Sequence, residues 1–246
     1  MRLEAVTFDF WSTLVDGEIT PERTVVRLAR LQRALSDAGH ASSVEDLRGA
    51  FERALERVDR ATRETLEDVG PPGRWAEVAV ELGIPAGLIP YEVVEQAYED
   101  LTLEPLPAAM PYVHDAVQAM RQAGYRLAVI CNTGMAGGRV LRQVLQRHHL
   151  LDLFDVTVFS NEFGYAKPHP SIFGHTLEQL GGIEPTRALH VGDLEELDVE
   201  GARRAGVYSA RYVPGTPQVE TDADFVVTDW RDFGTQVARF EANLTA

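Results

Sequence analysis

The sequence predicts an α/β protein: a parallel sheet with flanking helices, and a helical bundle inserted after its first strand. Two observations carry that prediction. Six short runs rich in apolar and β-branched residues recur along the chain, at 3–9, 126–131, 154–159, 187–191, 207–212 and 224–227. From residue 111 onward these runs alternate with helical patterns, the signature of a parallel sheet. The stretch 17–105, by contrast, holds helical spacing without a strand signal.

The elements follow in order. LEAVTFD (3–9) reads as a buried strand ending at Asp9. Residues 22–38 and 44–67 place Val26, Leu28, Leu31, Leu35 and then Leu47, Phe51, Leu55, Val58 at intervals of three and four. Shorter helices are expected near 74–83 and 91–102, with GPPG (70–73) and GIPAG (83–87) as separators. In the second half, helices are expected near 111–123, 138–148, 169–180, 197–205 and 230–241. Pro111 suits a first helical turn and Gly124 a helix stop.

Composition bounds the function. The 246 residues are 45% hydrophobic and 25% charged, enough for a sizeable core, and carry a net charge of −15. That field repels nucleic acid and anionic membranes, so a small-molecule substrate is the expected partner. One cysteine, Cys131, forms no internal disulfide, and the acids near the N-terminus do not fit a signal peptide. No uncharged apolar run nears the roughly 18 residues of a membrane span, so a cytoplasmic location is expected. Oligomeric state is left open. Lys167 is the single lysine among 23 basic residues. Where arginine serves every generic need for a cation, the position that keeps lysine points to a need for a compact point charge.

Ligands of open parallel sheets sit at the carboxyl ends of strands. Those ends carry Asp9, Trp11, Ser12 and Thr13; Cys131, Asn132 and Thr133; Ser160, Asn161 and Glu162, then the loop with Lys167; and Gly192, Asp193 and, further on, Asp198. Carboxylates converging beside a lysine suit Mg²⁺ and a phosphoryl group: Mg²⁺ takes carboxylate and water oxygens, Asp9 attacks phosphorus, and Lys167 offsets the charge that develops.

These residues resemble the haloacid dehalogenase superfamily. Its first motif, Asp-x-Asp-x-Thr, matches Asp9 to Thr13, with Trp11 replacing the second Asp. Its second, a strand ending in Ser or Thr, matches LAVICN with Cys131 at the hydroxyl position. Its third matches Lys167-Pro168, and its fourth, Gly-Asp with a later acid, matches Gly192-Asp193 and Asp198. The resemblance implies a Rossmann-like core over 1–16 and 106–246 and a helical cap over 17–105. It implies Asp9 as nucleophile with Lys167 as its partner. It also implies Mg²⁺ held by Asp9, the Trp11 carbonyl, Asp193 and Asp198, and substrate contacts from Thr13, Cys131, Asn132 and Thr133. Arg74, Trp75 and Tyr91 are the cap residues expected to face the site.

The departures shape the expected activity. Indole N–H cannot serve as the acid/base that the second Asp provides. A Mg²⁺-dependent phosphatase limited to good leaving groups is the leading expectation. A 2-haloacid dehalogenase is the alternative, because halide departure needs no proton and members of that kind place an aromatic at the Trp11 position. A catalytically weak binding or regulatory protein is a third. Trp11 either packs against the cap or contacts substrate. Cys131 reads as a buried packing residue, since His148 and His149 lie at the far end of the next helix. His190 and the remaining histidines read as structural or exposed.

Overall fold

Six parallel strands organise the chain in a computed structural model that describes residues 2–17, 20–215 and 218–244. They are β1 (Ala5–Phe8), β2 (Arg126–Cys131), β3 (Val156–Phe159), β4 (Ala188–Gly192), β5 (Tyr208–Tyr212) and β6 (Phe225–Val227). Their spatial order is β3-β2-β1-β4-β5-β6, and every neighbouring pair is parallel. β1 therefore lies between β2 and β4, with Phe8 beside both Val129 and Val191. The strand order reverses between β1 and β4, which opens a crevice at their carboxyl ends.

Between β1 and β2 the described chain is helical: α1 (Pro21–Asp37), α2 (Val44–Thr65), α3 (Gly70–Glu81) and α4 (Tyr91–Val94). A wider π turn (Glu95–Glu99) and a 3₁₀ turn (Asp100–Leu103) prolong α4, where sequence spacing alone suggests one regular helix over 91–102. The starts are encoded locally. Thr20 caps α1 ahead of Pro21, and Ser43 and Asp46 form a reciprocal capping box on α2. GPPG is not a separator: it forms the first turn of α3, where prolines forfeit only N–H groups that have no helical partner. The facing sides of these helices bury their own apolar cluster, including Leu31, Leu47, Phe51, Trp75 and Val78.

The remaining helices cover the sheet. They are α5 (Val113–Gln122), α6 (Gly138–Arg147), the short α7 (Ser160–Phe163), α8 (Pro170–Gln179), α9 (Glu200–Arg204) and α10 (Phe233–Leu244). Side chains alternate along each strand, so β1 and β2 send Val6, Phe8, Leu127 and Val129 against α5, α6 and α10. Ala5, Ala128 and Ile130 face α8 and α9. Pro111 lies in the turn ahead of α5 rather than in its first turn; Tyr112, at φ 62°, supplies the entry. The 197–205 segment opens with a π turn (Glu195–Val199) before α9.

Candidate active site

Asp9 directly follows β1, and its N–H donates to Val191 O at 2.8 Å, which ties it to the end of β4. The chain then folds back tightly. Phe10 O accepts the N–H groups of Leu14 and Val15, Ser12 N–H reaches Val15 O at 2.6 Å, and Ser12 adopts a positive φ of 56°. The loop's internal bonds thus run through Phe10 and Val15 and bypass the Trp11 carbonyl.

The structure brings four of the anticipated residues together. Lys167, 2% exposed, places Nζ 2.6 Å from Asp9 Oδ1 and 2.6 Å from Asp198 Oδ1. Asp9, Asp193 and Asp198 each present a carboxylate oxygen within 4.8 Å of the others. Asp198 is the better satisfied of Lys167's two partners. Its Oδ1 also accepts from His190 Nε2 at 3.1 Å, and its Oδ2 from Leu194 N at 3.0 Å. His190 Nδ1 in turn meets the Thr7 hydroxyl at 2.8 Å. With an ionised Asp198 able only to accept, His190 carries its proton on Nε2 and accepts from Thr7. Gly192 leaves room for this packing, since a Cβ there would sit 2.1 Å from Asp198 Cγ.

Electrostatics follow from that inequality. Burial pushes Asp9 up to about 7, against the pull of Lys167 and with a further push from Asp198. Burial, then Asp198, lifts Asp193 to about 6. Burial also raises Asp198, but Lys167 and the His190 hydrogen bond outweigh it and hold that carboxyl well below the usual range. Burial alone depresses Lys167, and the two flanking carboxylates overcome it, so its ammonium stays charged. Asp9 and Asp198 share the Lys167 ammonium and Asp193 lies alongside, within the pull of Lys167 and Arg211, so three hard oxygen donors face two cations. That is the donor chemistry of Mg²⁺, and the cluster fits the ion.

The substrate-contact candidates divide. Asn132 clamps the lysine backbone: its Nδ2 donates to Lys167 O at 2.8 Å and its Oδ1 accepts from Lys167 N at 2.7 Å. Thr133 N–H donates to Ser160 Oγ at 2.8 Å and its hydroxyl to Asp68 Oδ2 at 3.1 Å. Cys131 is fully buried in the sheet core, burial and then Asp9 raise its thiol, and its Sγ contacts Asn132 O at 3.3 Å. Thr13 is fully buried, and its Oγ1 has no hydrogen-bond partner among the described residues.

Two cavities flank this cluster. One of about 710 Å³ is bordered by Lys167, Asn132, Thr133, Asp68 and Arg74. A second, of about 420 Å³, shares Asn132, Thr133 and Arg74 and adds Trp11, Arg23, Arg27 and Tyr98. Asp9 borders neither; its neighbours do. Of the three helical residues expected at the site, Arg74 borders both cavities. Trp75 instead packs inside the helical cluster, and Tyr91 hydrogen-bonds Glu99.

Two residues that the sequence reading did not assign to the site are Asp68 and His190. Asp68, just beyond α2, accepts hydrogen bonds from Ser160 Oγ, Thr133 Oγ1 and Gly70 N, joining the helical segment to the ends of β2 and β3. The local signal is an acid pair, Glu67-Asp68, before GPPG, which does not reveal partners so far along the chain.

A six-stranded parallel sheet with an acid–lysine cluster at its switch point defines an α/β protein with its candidate site at the strand ends, and the comparisons name its family. The haloacid dehalogenase-like hydrolase profile matches residues 3–206, so the chain belongs to that family. A pyrimidine 5′-nucleotidase of Escherichia coli strain K12 is 35% identical over 136 residues, 55% of this chain and 56% of that protein. The chain thus spans little more than half of that relative. A glyceraldehyde 3-phosphate phosphatase of Methanopyrus kandleri is 27% identical over 228 residues, 88% of this chain and 86% of that one. Among solved structures, a 2-haloacid dehalogenase from Pseudomonas syringae pv. tomato DC3000 superposes with TM-score 0.68 at 23% identity, covering 97% of this chain and 99% of that one. A HAD phosphatase from Thermococcus onnurineus gives 0.65 at 22%, covering 96% and 98%. These superpositions share the fold and do not separate phosphatase from dehalogenase. Among the described residues no helix is long and apolar enough to cross a membrane.

Proposed function

We propose that the protein is a Mg²⁺-dependent phosphohydrolase of small phosphorylated metabolites, working through Asp9. The observation that carries this reading is Lys167 Nζ held between Asp9 and Asp198 with Asp193 alongside. Asp9, Asp193, Asp198 and the Trp11 carbonyl would hold the ion, which when bound neutralises the carboxylates and an incoming phosphoryl group. Residues 1–16 and 106–246 form the catalytic core in this reading, and 17–105 the cap that selects substrate. The separate apolar cluster of the helices and the cavities against the strand ends support that division.

The residues divide the chemistry. Asp9 Oδ attacks phosphorus as the bond to the leaving oxygen breaks, giving an aspartyl phosphate that water then hydrolyses. Lys167 offsets charge on Asp9 and on the transferring oxygens, and Asn132 fixes the lysine backbone. Asp198, His190 and Thr7 hold the ammonium in place from beneath. Trp11 donates no proton, so the leaving group departs as an anion, which favours aryl and acyl phosphates. The test is turnover of p-nitrophenyl phosphate, acetyl phosphate and a sugar-phosphate panel with and without Mg²⁺. Metal-dependent release from the first two is expected; no metal-dependent turnover on any of them overturns the reading.

A second reading, 2-haloacid dehalogenation at Asp9, is favoured by the aromatic at position 11. Against it, a half-buried Asp193 beside the buried Asp9 adds a second carboxylate that a metal-free reaction does not need. Halide release from a 2-chloro acid that survives EDTA would establish it in place of the first.

A further inference from the structure

The helices facing the strand ends carry cations that the phosphoryl chemistry does not use. Arg74 on α3 is 7% exposed; its Nη1 donates to Asp59 Oδ1 at 2.7 Å, while its Nε has no partner among the described residues. Arg27 on α1 repeats the pattern. Its Nη2 donates to Thr102 Oγ1 at 3.0 Å, its guanidinium lies 5.5 Å from the Tyr98 ring centre, and its buried Nε is also unpartnered. A donor left buried and unpaired is unfavourable, so neither side chain is fully satisfied by the described residues alone. Both arginines line one cavity.

That cavity, about 420 Å³, also takes in Arg23, and Asp59 is its one carboxylate among the described residues. Asp59 is half exposed, so solvent shares its charge. The pocket is therefore net cationic in a chain of net charge −15. Its remaining wall is apolar, formed by Trp11, Leu55, Tyr98 and Met135. Through Asn132 and Thr133 it adjoins the larger cavity that Lys167 borders.

We propose that this cavity receives a second anionic group of the substrate, held by Arg74 and Arg27. The substrate class is then a phosphorylated compound with an apolar body and a further carboxylate or phosphate. The proposal rests on the phosphohydrolase reading for which end reacts, but it is a statement about binding and is tested as one. Guanidinium pairs with carboxylate and phosphate by charge-assisted, often bidentate, hydrogen bonds, so the pocket chemistry is shared by both anions.

The test compares binding of phenylphosphonate, 4-phosphonobenzoate and 1,4-phenylenebisphosphonate by calorimetry in the presence of Mg²⁺. One or both of the two-anion compounds is expected to bind at least about tenfold tighter than phenylphosphonate. Which of the two wins identifies the second anion as carboxylate or phosphate. In Arg74→Met and Arg27→Met that preference should fall below about threefold, with thermal melting confirming a folded protein. If Arg74→Met does not fold, Arg27→Met decides alone. Equal affinity for all three compounds, or a preference that survives in the folded variants, overturns the proposal. Turnover of p-nitrophenyl phosphate is read separately. Metal-dependent turnover without a binding preference overturns this subsite and leaves the phosphohydrolase reading intact. A preference lost in the arginine variants supports the subsite even if no ester is turned over.

Discussion

Mg²⁺ affinity should fall steeply as pH drops through the range where Asp9 and Asp193 take up protons. In the metal-free protein Asp9 is pushed up to about 7 and Asp193 to about 6, each mainly by burial. The ion binds the ionised forms, so each proton must leave first. By pH 8 both carboxyls are almost wholly ionised and affinity levels off. Between 7 and 6 the apparent Kd should weaken about tenfold per unit, and below 6 by up to about a hundredfold per unit. From pH 8 to pH 5 the two sites together give a factor of roughly 10³, or about 4 kcal/mol. Calorimetric Mg²⁺ titration at pH 5, 6, 7 and 8 measures it directly. A Kd that does not change over this range refutes the assignment of these carboxylates as proton-bearing metal ligands. Absence of saturable binding at pH 8 removes the metal site altogether.

Stability carries the same signature with a definite sign. The metal-free fold binds more protons than the unfolded chain between the ordinary carboxyl value and the raised values of Asp9 and Asp193. Its stability therefore falls as pH rises from about 4 to about 7. Asp198 acts oppositely: its depressed pKa stabilises the fold above the ordinary value, and this is lost on acidification. Mg²⁺ should raise Tm far more at pH 8 than at pH 5.

Three substitutions probe the parts separately. Trp11→Asp restores a proton donor and should raise kcat for alkyl phosphates by on the order of 10²–10⁴, with a smaller gain on p-nitrophenyl phosphate; equal gains on both would show that the proton is not what the wild type lacks. Lys167→Met removes the cation between two buried carboxylates and should lower metal-free stability by about 3–5 kcal/mol at pH 8, and by less at pH 5.5 where Asp9 is protonated. Denaturant unfolding at both pH values checks it, and a loss independent of pH would contradict the charge argument. Gly192→Ala drives a Cβ into Asp198 and should cost about 1–3 kcal/mol or more together with activity, read by melting and p-nitrophenyl phosphate turnover.

The strands are legible because each is a short apolar run; the central β1 and β4 are buried throughout, and β3 and β6 only in part. The acid–lysine cluster was legible for a related reason: a parallel sheet gathers the residues after every strand at one edge, so Asp9, Lys167, Asp193 and Asp198 converge whatever their spacing. Side-chain partners were not legible. Asn132 reads as a ligand contact by position, yet its amide matches the lysine backbone so well that it serves as a clamp. His190 sits inside an apolar strand, where nothing local reveals that Asp198 lies against its ring. The Asp68–Ser160 bond depends on how the helices dock, a tertiary fact with no periodic signal. GPPG suggests a break because proline punctuates loops, yet it forms a helix start because the first turn requires no N–H donors.

Trp11 is expected either to pack against the cap or to contact substrate, and the structure packs it against the sheet core at the border of a cavity. One edge of its ring system meets Phe10 at a centroid distance of 4.8 Å, and the residue also borders the arginine-lined cavity. Replacing a carboxylate by indole removes a negative charge from the neighbourhood of Arg23, Arg27 and Arg74. A carboxylate there would attract those guanidinium groups and compete with an anionic ligand. An active site that lacks a proton donor can still release a leaving group that is stable as an anion. The missing acid at position 11 and the guanidinium groups of the adjoining pocket are then compatible with one another: indole leaves Arg27 and Arg74 available to the second substrate anion proposed above.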